Sequence, residues 1–307
     1  MNNIPDRQNQ PEFLEMIVAA AHSYRAVGFF SMVQSALAIL VAFGGFIVAM
    51  FLPSSMDLMA ILSVFVLLID ALVIEPLARS KQDLGARIQE LFDTRLLEIP
   101  WNSLRCQERP DPEDIHRLAG DSHANIADSV TREWYPRVVG DVEIEYARLL
   151  CQRTNLRWDS KLRVVYLQCI TLSLIGVFCG VLLYGVISRM LVGPWIVKVV
   201  LPLCPTVLKL SRLAIREKEA ASRSERAKRI LEEVWKNGLD GKATHSDFIE
   251  GARRLQDEIY ERRRMNPRVP RLLYLMYRGE FETEMRVATE CLVAELKRSS
   301  VIKPVVE

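Results

Sequence analysis

The sequence predicts an all-α integral membrane protein: four transmembrane helices in two hairpins, extended by cytoplasmic helical stalks and a C-terminal helical region. Three observations predict it. Val164 to Ser188 is a run of 25 residues without a charge, about 37 Å as a helix and longer than the roughly 30 Å hydrocarbon core of a bilayer. A helix of a soluble protein turns one face to water and is rarely apolar all round for so long. Charges are nearly absent from two blocks, 26–75 and 164–208, and crowded elsewhere. Lys and Arg gather at one end of every block, as they do on the cytoplasmic side of spans.

Taken in order, residues 1–9 are polar, and from Pro11 a helical pattern puts Phe13, Leu14, Ile17, Val18 and Ala21 on one face. Residues 1–25 form an N-terminal cytoplasmic helix that runs into transmembrane hairpin 1, residues 26–77. Acidic and basic residues precede a long apolar run here, unlike a signal peptide, so this segment is expected to be retained. Span one covers about Ala26 to Leu52. The turn from Pro53 to Asp57 is short, so span two, about Leu58 to Ile74, returns antiparallel. Pro76 is expected to kink that helix, which continues as a stalk.

Residues 78–163 form a cytoplasmic helical insertion with its stalks, rich in loops around Pro110, Pro112, Gly120 and Pro136. Nothing breaks the pattern between Val142 and Ser188, so one helix is expected to carry both the second stalk and span three. Transmembrane hairpin 2 occupies residues 164–210. Its second span holds Lys198 and is interrupted by Pro202 and Pro205. The C-terminal cytoplasmic helical region, 211–307, begins with a charged amphipathic helix to Trp235. A helix from about Asp247 to Arg264 follows, with Ser246 as its expected N-cap, and a last helix runs from about Arg271 to Arg298.

Orientation follows from Arg79, Lys81 and Arg87 after span two, Arg153, Arg157, Lys161 and Arg163 before span three, and Lys209, Arg212, Arg216 and Lys218 after span four. The opposite turns offer only Arg189. Both termini and both soluble parts are expected in the cytoplasm.

Six scattered cysteines with no CxxC pair indicate neither a disulfide framework nor a metal site. A net charge of +2 argues against DNA or RNA as partner. No catalytic motif is present, and no enzyme, metal or cofactor is expected. The intramembrane charges Asp70 and Lys198 are costly in hydrocarbon and are candidates to line a polar path. The alternative is that Lys198 snorkels outward while Asp70 sits at the inner interface. Gly176 and Gly180 form a GxxxG that serves helix packing, within one subunit or between subunits.

Two clusters suit an anionic ligand. Arg153 and Arg157 stand beside Trp158 in the stalk entering span three, and Arg262, Arg263, Arg264 and Arg268 surround the MNPRVPR stretch. Guanidinium forks grip phosphates, and Trp158 or Tyr135 is suited to stack a base. The same basic runs suit anionic lipid headgroups or a solvated face.

Several of these segments recur together in one family. FDTRLLEIPWN (92–102), EWYPRVV (133–139), CQRTNLRWD (151–159) and QDEIYERRRMNPRVPRLLY (256–274) resemble, in that order, the four-transmembrane effectors encoded beside bacterial cyclic-oligonucleotide synthases of the SMODS type. The resemblance implies anti-phage defence. It implies that a partner nucleotidyltransferase makes a cyclic oligonucleotide and that this chain, expected to be a homo-oligomer, responds by breaching the lipid bilayer of the bacterial inner membrane. This sequence has VPRLLY (269–274) where an acidic, aromatic IPDW-type segment is expected, which changes the charge there. The residues by themselves also fit a constitutive channel or small-solute transporter using Asp70 and Lys198, or a non-conducting membrane scaffold.

Overall fold

The apolar and amphipathic periods fold as eleven α-helices in a computed structural model that describes residues 2–120, 132–189, 191–266 and 271–302. No strand occurs among the described residues. Among the described residues, three helices are long and apolar enough to cross a membrane, over Pro11–Gly45, Ile61–Leu96 and Ile144–Ser188.

Helix α1 (Ile4–Arg7) leads into α2 (Pro11–Phe51), whose proline sits in the first turn, where a missing N–H costs nothing. The first turns of α2 bury Phe13, Leu14, Met16, Ile17 and Val18; beyond them Ile39, Leu40 and Phe43 are exposed apolar residues. A short 3-10 turn (Pro53–Ser55) reverses the chain into α3 (Met56–Ile69). Between α3 and α4 (Glu75–Leu96) the backbone opens into a π turn, Asp70–Ile74. Pro76 lacks an N–H and its ring crowds the carbonyl four residues back, on Leu72. The wider turn accommodates both.

Short helices α5 (Ser103–Cys106) and α6 (Pro112–Ala119) complete the loop-rich insertion, and a 3-10 turn (Arg137–Asp141) precedes α7. As expected, α7 is one unbroken helix, Ile144–Ser188, of 45 residues. It ends at Arg189 in the left-handed region, φ 49°. Helix α8 (Val192–Trp195) passes through a second π turn, Ile196–Val200, into α9 (Leu201–Leu239). Pro202 repeats the local chemistry of Pro76: four residues back lies Lys198, inside the π turn.

Helix α10 (His245–Met265) is capped by Thr244, not Ser246. The Thr244 hydroxyl accepts from Asp247 N, and the Asp247 carboxylate accepts from Thr244 N, a reciprocal box that a cap at 246 cannot form. Helix α11 (Arg271–Ile302) closes the chain.

The core lies at one end, away from the exposed apolar helices. It unites the start of α2, the far half of α4, α6, the first turns of α7 and the end of α11, with Phe13, Ile88, Leu91, Phe92, Leu150 and Val293 among its members. A second cluster joins Leu149 and Leu156 of α7 to Leu231 of α9 and Phe248, Leu255 and Ile259 of α10.

Candidate functional site

Two carboxylates lie on the apolar stripe of α4. Glu90 and Asp93 share a face with Ala86 and Leu97, and all four are fully buried. A buried carboxylate persists only when partners replace its water. The partners come from three other segments. Tyr135 donates its hydroxyl to Asp93 Oδ1 at 2.7 Å, and Asn155 of α7 donates to the same hydroxyl at 2.9 Å. From α10, Arg263 reaches Asp93 Oδ2 at 2.6 Å and Arg253 reaches Glu90 Oε1 at 2.7 Å. Gln256 bridges Glu90 and Asp93 at 2.9 and 3.0 Å and accepts from Gln152 of α7 at 3.0 Å. On α10, residues 253, 256 and 263 repeat at three to seven positions and so face α4 together.

The electrostatics follow from this enclosure. Burial raises the Glu90 carboxyl above its ordinary range, against the charge and hydrogen bonds of Arg253 and Gln256. Burial works to discharge Arg263, but the adjacent Asp93 outweighs it and holds the guanidinium charged. Burial, reinforced by Asp93, keeps the Tyr135 phenol protonated.

The four segments that carry the sequence resemblance therefore converge on one buried junction. Tyr135 serves it as a hydrogen-bond donor, with its ring stacked on Phe92 at 6.4 Å and fully buried. That corrects the expectation that Tyr135 stacks a base, because no base reaches it. Of the arginine run, Arg262 is buried, Arg263 is held by Asp93 and Arg264 pairs with Asp83 at 2.9 Å. Arg263 and Arg264 are thus engaged by acids of α4. Arg268 lies outside the described residues.

Arg153 and Arg157 differ. They are neighbours one turn apart on α7, and no acidic side chain pairs with either among the described residues. Burial and then the charge of Arg157 push Arg153 below the usual arginine value. The flanking Gln152 and Asn155 enter the junction, so the pair stands directly beside it. The side chain of Trp158 is outside the described part.

Toward the apolar helices, ion pairs tie the bundle at its neck. Arg163 of α7 donates to both carboxylate oxygens of Glu217 of α9 at 3.0 and 2.8 Å, and both side chains are buried. Glu75 takes Gln34 of α2 at 3.2 Å, Arg79 at 2.8 Å and Arg216 of α9 at 3.9 Å. Asp70 and Lys198 lie in the two π turns, and α2 packs against both turns. Asp70 Oδ1 is buried with no hydrogen-bond partner among the described residues. The side chain of Lys198 lies outside the described part. A Cβ at Gly176 or Gly180 meets nothing within 4 Å among the described residues.

Charge runs and spacing revealed the arginines but not their partners. Glu90 and Asp93 were detectable in principle as carboxylates on the apolar stripe of a stalk.

The family profile described as SMODS-associating 4TM effector domain matches residues 2–292. A Bacillus cereus (strain VD146) protein named a probable CBASS effector molecule is 25% identical over 205 residues, covering 64% of this chain and 68% of the relative. No solved structure matches the chain.

Proposed function

The chain belongs to the SMODS-associating 4TM effector domain family, and from this premise we propose that it is the membrane-permeabilising effector of an anti-phage signalling system, switched on by a cyclic oligonucleotide. In this reading a nucleotidyltransferase of the same system supplies the signal. The chain sits in the bacterial inner membrane with both termini in the cytoplasm, and Leu191 to Leu210 supplies a fourth span beside the three long apolar helices. Subunits assemble around the bilayer breach.

The observation that carries the ligand assignment is the arginine pair. Two guanidinium groups one turn apart, one of them partly buried, repel each other and lack an acidic partner among the described residues. An oligonucleotide phosphate supplies the missing charge with bidentate geometry. The pair also rides on the helix that becomes span three, so a shift of α7 on binding is delivered into the membrane without a hinge. Binding drives opening only through differential affinity. Turning a 1% open population into 99% requires about 10⁴-fold preference for the open state.

The test is dye release from liposomes holding the purified chain, scanned against cyclic di- and trinucleotides. One nucleotide is expected to release dye, in neutral as well as anionic lipid. Arg153→Ala with Arg157→Ala is expected to raise the nucleotide concentration needed by at least about tenfold, the loss of one to two charge-assisted hydrogen bonds. Nucleotide-dependent leakage unchanged in the double variant overturns the siting. Dependence of the effect on anionic lipid alone assigns the pair to headgroups.

A second reading, a constitutive channel, is favoured by one observation: Asp70 and Lys198 each lie in a π turn, a backbone form enriched at functional sites. It expects leakage without nucleotide and a changed ion preference in Asp70→Asn.

A further inference from the structure

The end of α10 and the start of α11 lie on the membrane side of the globular end. Gln82, eight residues beyond Ile74, donates to the carbonyls of Arg263 and Asn266 at 3.0 and 2.6 Å, holding the end of α10 close to the root of span two. Helix α11 then runs antiparallel to α7. Lys297 near its far end pairs with Asp141, just before α7, at 2.9 Å. Glu284 pairs with Lys161, whose ammonium lies 5.4 Å from the Phe281 ring centroid. The register fixes heights. Met276 lies five residues before Phe281, about 7.5 Å closer to the membrane, while the uncharged run of α7 starts three residues, about 4.5 Å, past Lys161.

At that height two neighbouring apolar residues of α11 are open. Leu275 is 52% and Met276 66% exposed, although Tyr277 stacks on Phe281 and Phe281 itself is buried. Charge changes sign along the helix at the same point. Arg271 to Arg278 contains two arginines and no acidic residue, whereas Glu280, Glu282 and Glu284 follow. An apolar face with basic flanks on the membrane side and acidic residues beyond is the pattern of an interfacial helix, with lipid tails under the apolar groups and anionic headgroups beside the arginines.

Resting on the membrane reading above, we infer that the first two turns of α11 are embedded in the near leaflet of the bilayer, making this helix a lipid anchor for the globular end. The anchor adds a tie between that end and the membrane beside the continuous helices α2, α4, α7 and α9. Its lever arm runs to the core through Val293 and Leu296.

The experiment places the photo-crosslinking residue p-benzoylphenylalanine at Met276 in the full chain, reconstituted in liposomes of phosphatidylethanolamine and phosphatidylglycerol. Adducts are identified by mass spectrometry. Leu172, 69% exposed within the uncharged run, is the lipid control, and Leu104, 97% exposed on α5, is the water control. Met276 is expected to give phospholipid adducts at a yield comparable to Leu172 and about tenfold above Leu104. Adducts at Met276 to protein alone, of the same or a second copy, overturn the anchor while leaving the spans intact. Absence of lipid adducts at Leu172 removes the membrane reading, and the anchor with it.

Discussion

Asp93 holds together groups that have no reason to meet otherwise. Removing its carboxylate leaves Arg263 charged and enclosed and takes the acceptor from Tyr135. Asp93→Ala is expected to cost about 3–5 kcal/mol, read as a large fall in melting temperature in detergent. Tyr135→Phe loses one hydroxyl between Asn155 and Asp93 and is expected to cost about 1–3 kcal/mol. Glu90 behaves differently with pH. Its folded-state value lies above the ordinary 4.5, so its contribution is fully present below 4.5 and is lost as pH rises through the raised value. Glu90→Gln cannot ionise and still offers a side-chain oxygen. Its melting temperature is expected to vary less than wild type between pH 4.5 and neutrality, and an unchanged pH profile counts against an enclosed, reluctantly ionised Glu90.

At the scale of elements, the run Val164–Ser188, the stalk continuous with it and the short turn after Leu52 were all legible, because apolar length and the absence of breakers determine them directly. The π turns were not. Proline signalled a disturbance at Pro76, but whether the chain kinks or widens depends on how neighbouring helices hold it, and α2 packs against both turns. The Thr244 cap was missed because Ser246 offers the same hydroxyl, and only Asp247 three residues on decides between them. The inward-facing arginines were missed for a related reason: a basic run does not announce which carboxylates oppose it. Glycine exposure yields a sharper expectation. A Cβ at Gly185 lies 2.7 Å from Trp195 Nε1, a rigid ring that also reaches the Val181 carbonyl at 3.3 Å. Gly185→Leu is expected to cost about 1–3 kcal/mol by overpacking the hairpin. Gly176→Leu and Gly180→Leu meet no described side chain, and their melting temperatures in detergent are expected to stay near wild type. Loss of oligomer in cross-linking with stability retained assigns the GxxxG to contact between subunits.

At the scale of the molecule, α7 is a single rod of 45 residues, roughly 67 Å, with one end in the core and the other among the exposed apolar helices. A rod transmits displacement only while it is stiff. Two glycines inserted between Val164 and Val165 are expected to preserve nucleotide binding, measured by calorimetry, and to abolish dye release. Leakage that survives the insertion shows that the signal reaches the membrane by another route, α4 and α9 being the candidates through Glu75 and Glu217.

The buried junction also restricts how such a protein is rebuilt from parts. Its carboxylates come from α4, its cations and the bridging Gln256 from α10, and its other neutral partners from α7 and the Tyr135 loop. A chimera that borrows α10 from a relative while keeping its own α4 brings arginines without their matched acids, and the reverse graft strands Glu90 and Asp93. The exchangeable unit is the whole four-part knot, although its pieces are scattered over some 170 positions of the chain, from Glu90 to Arg263.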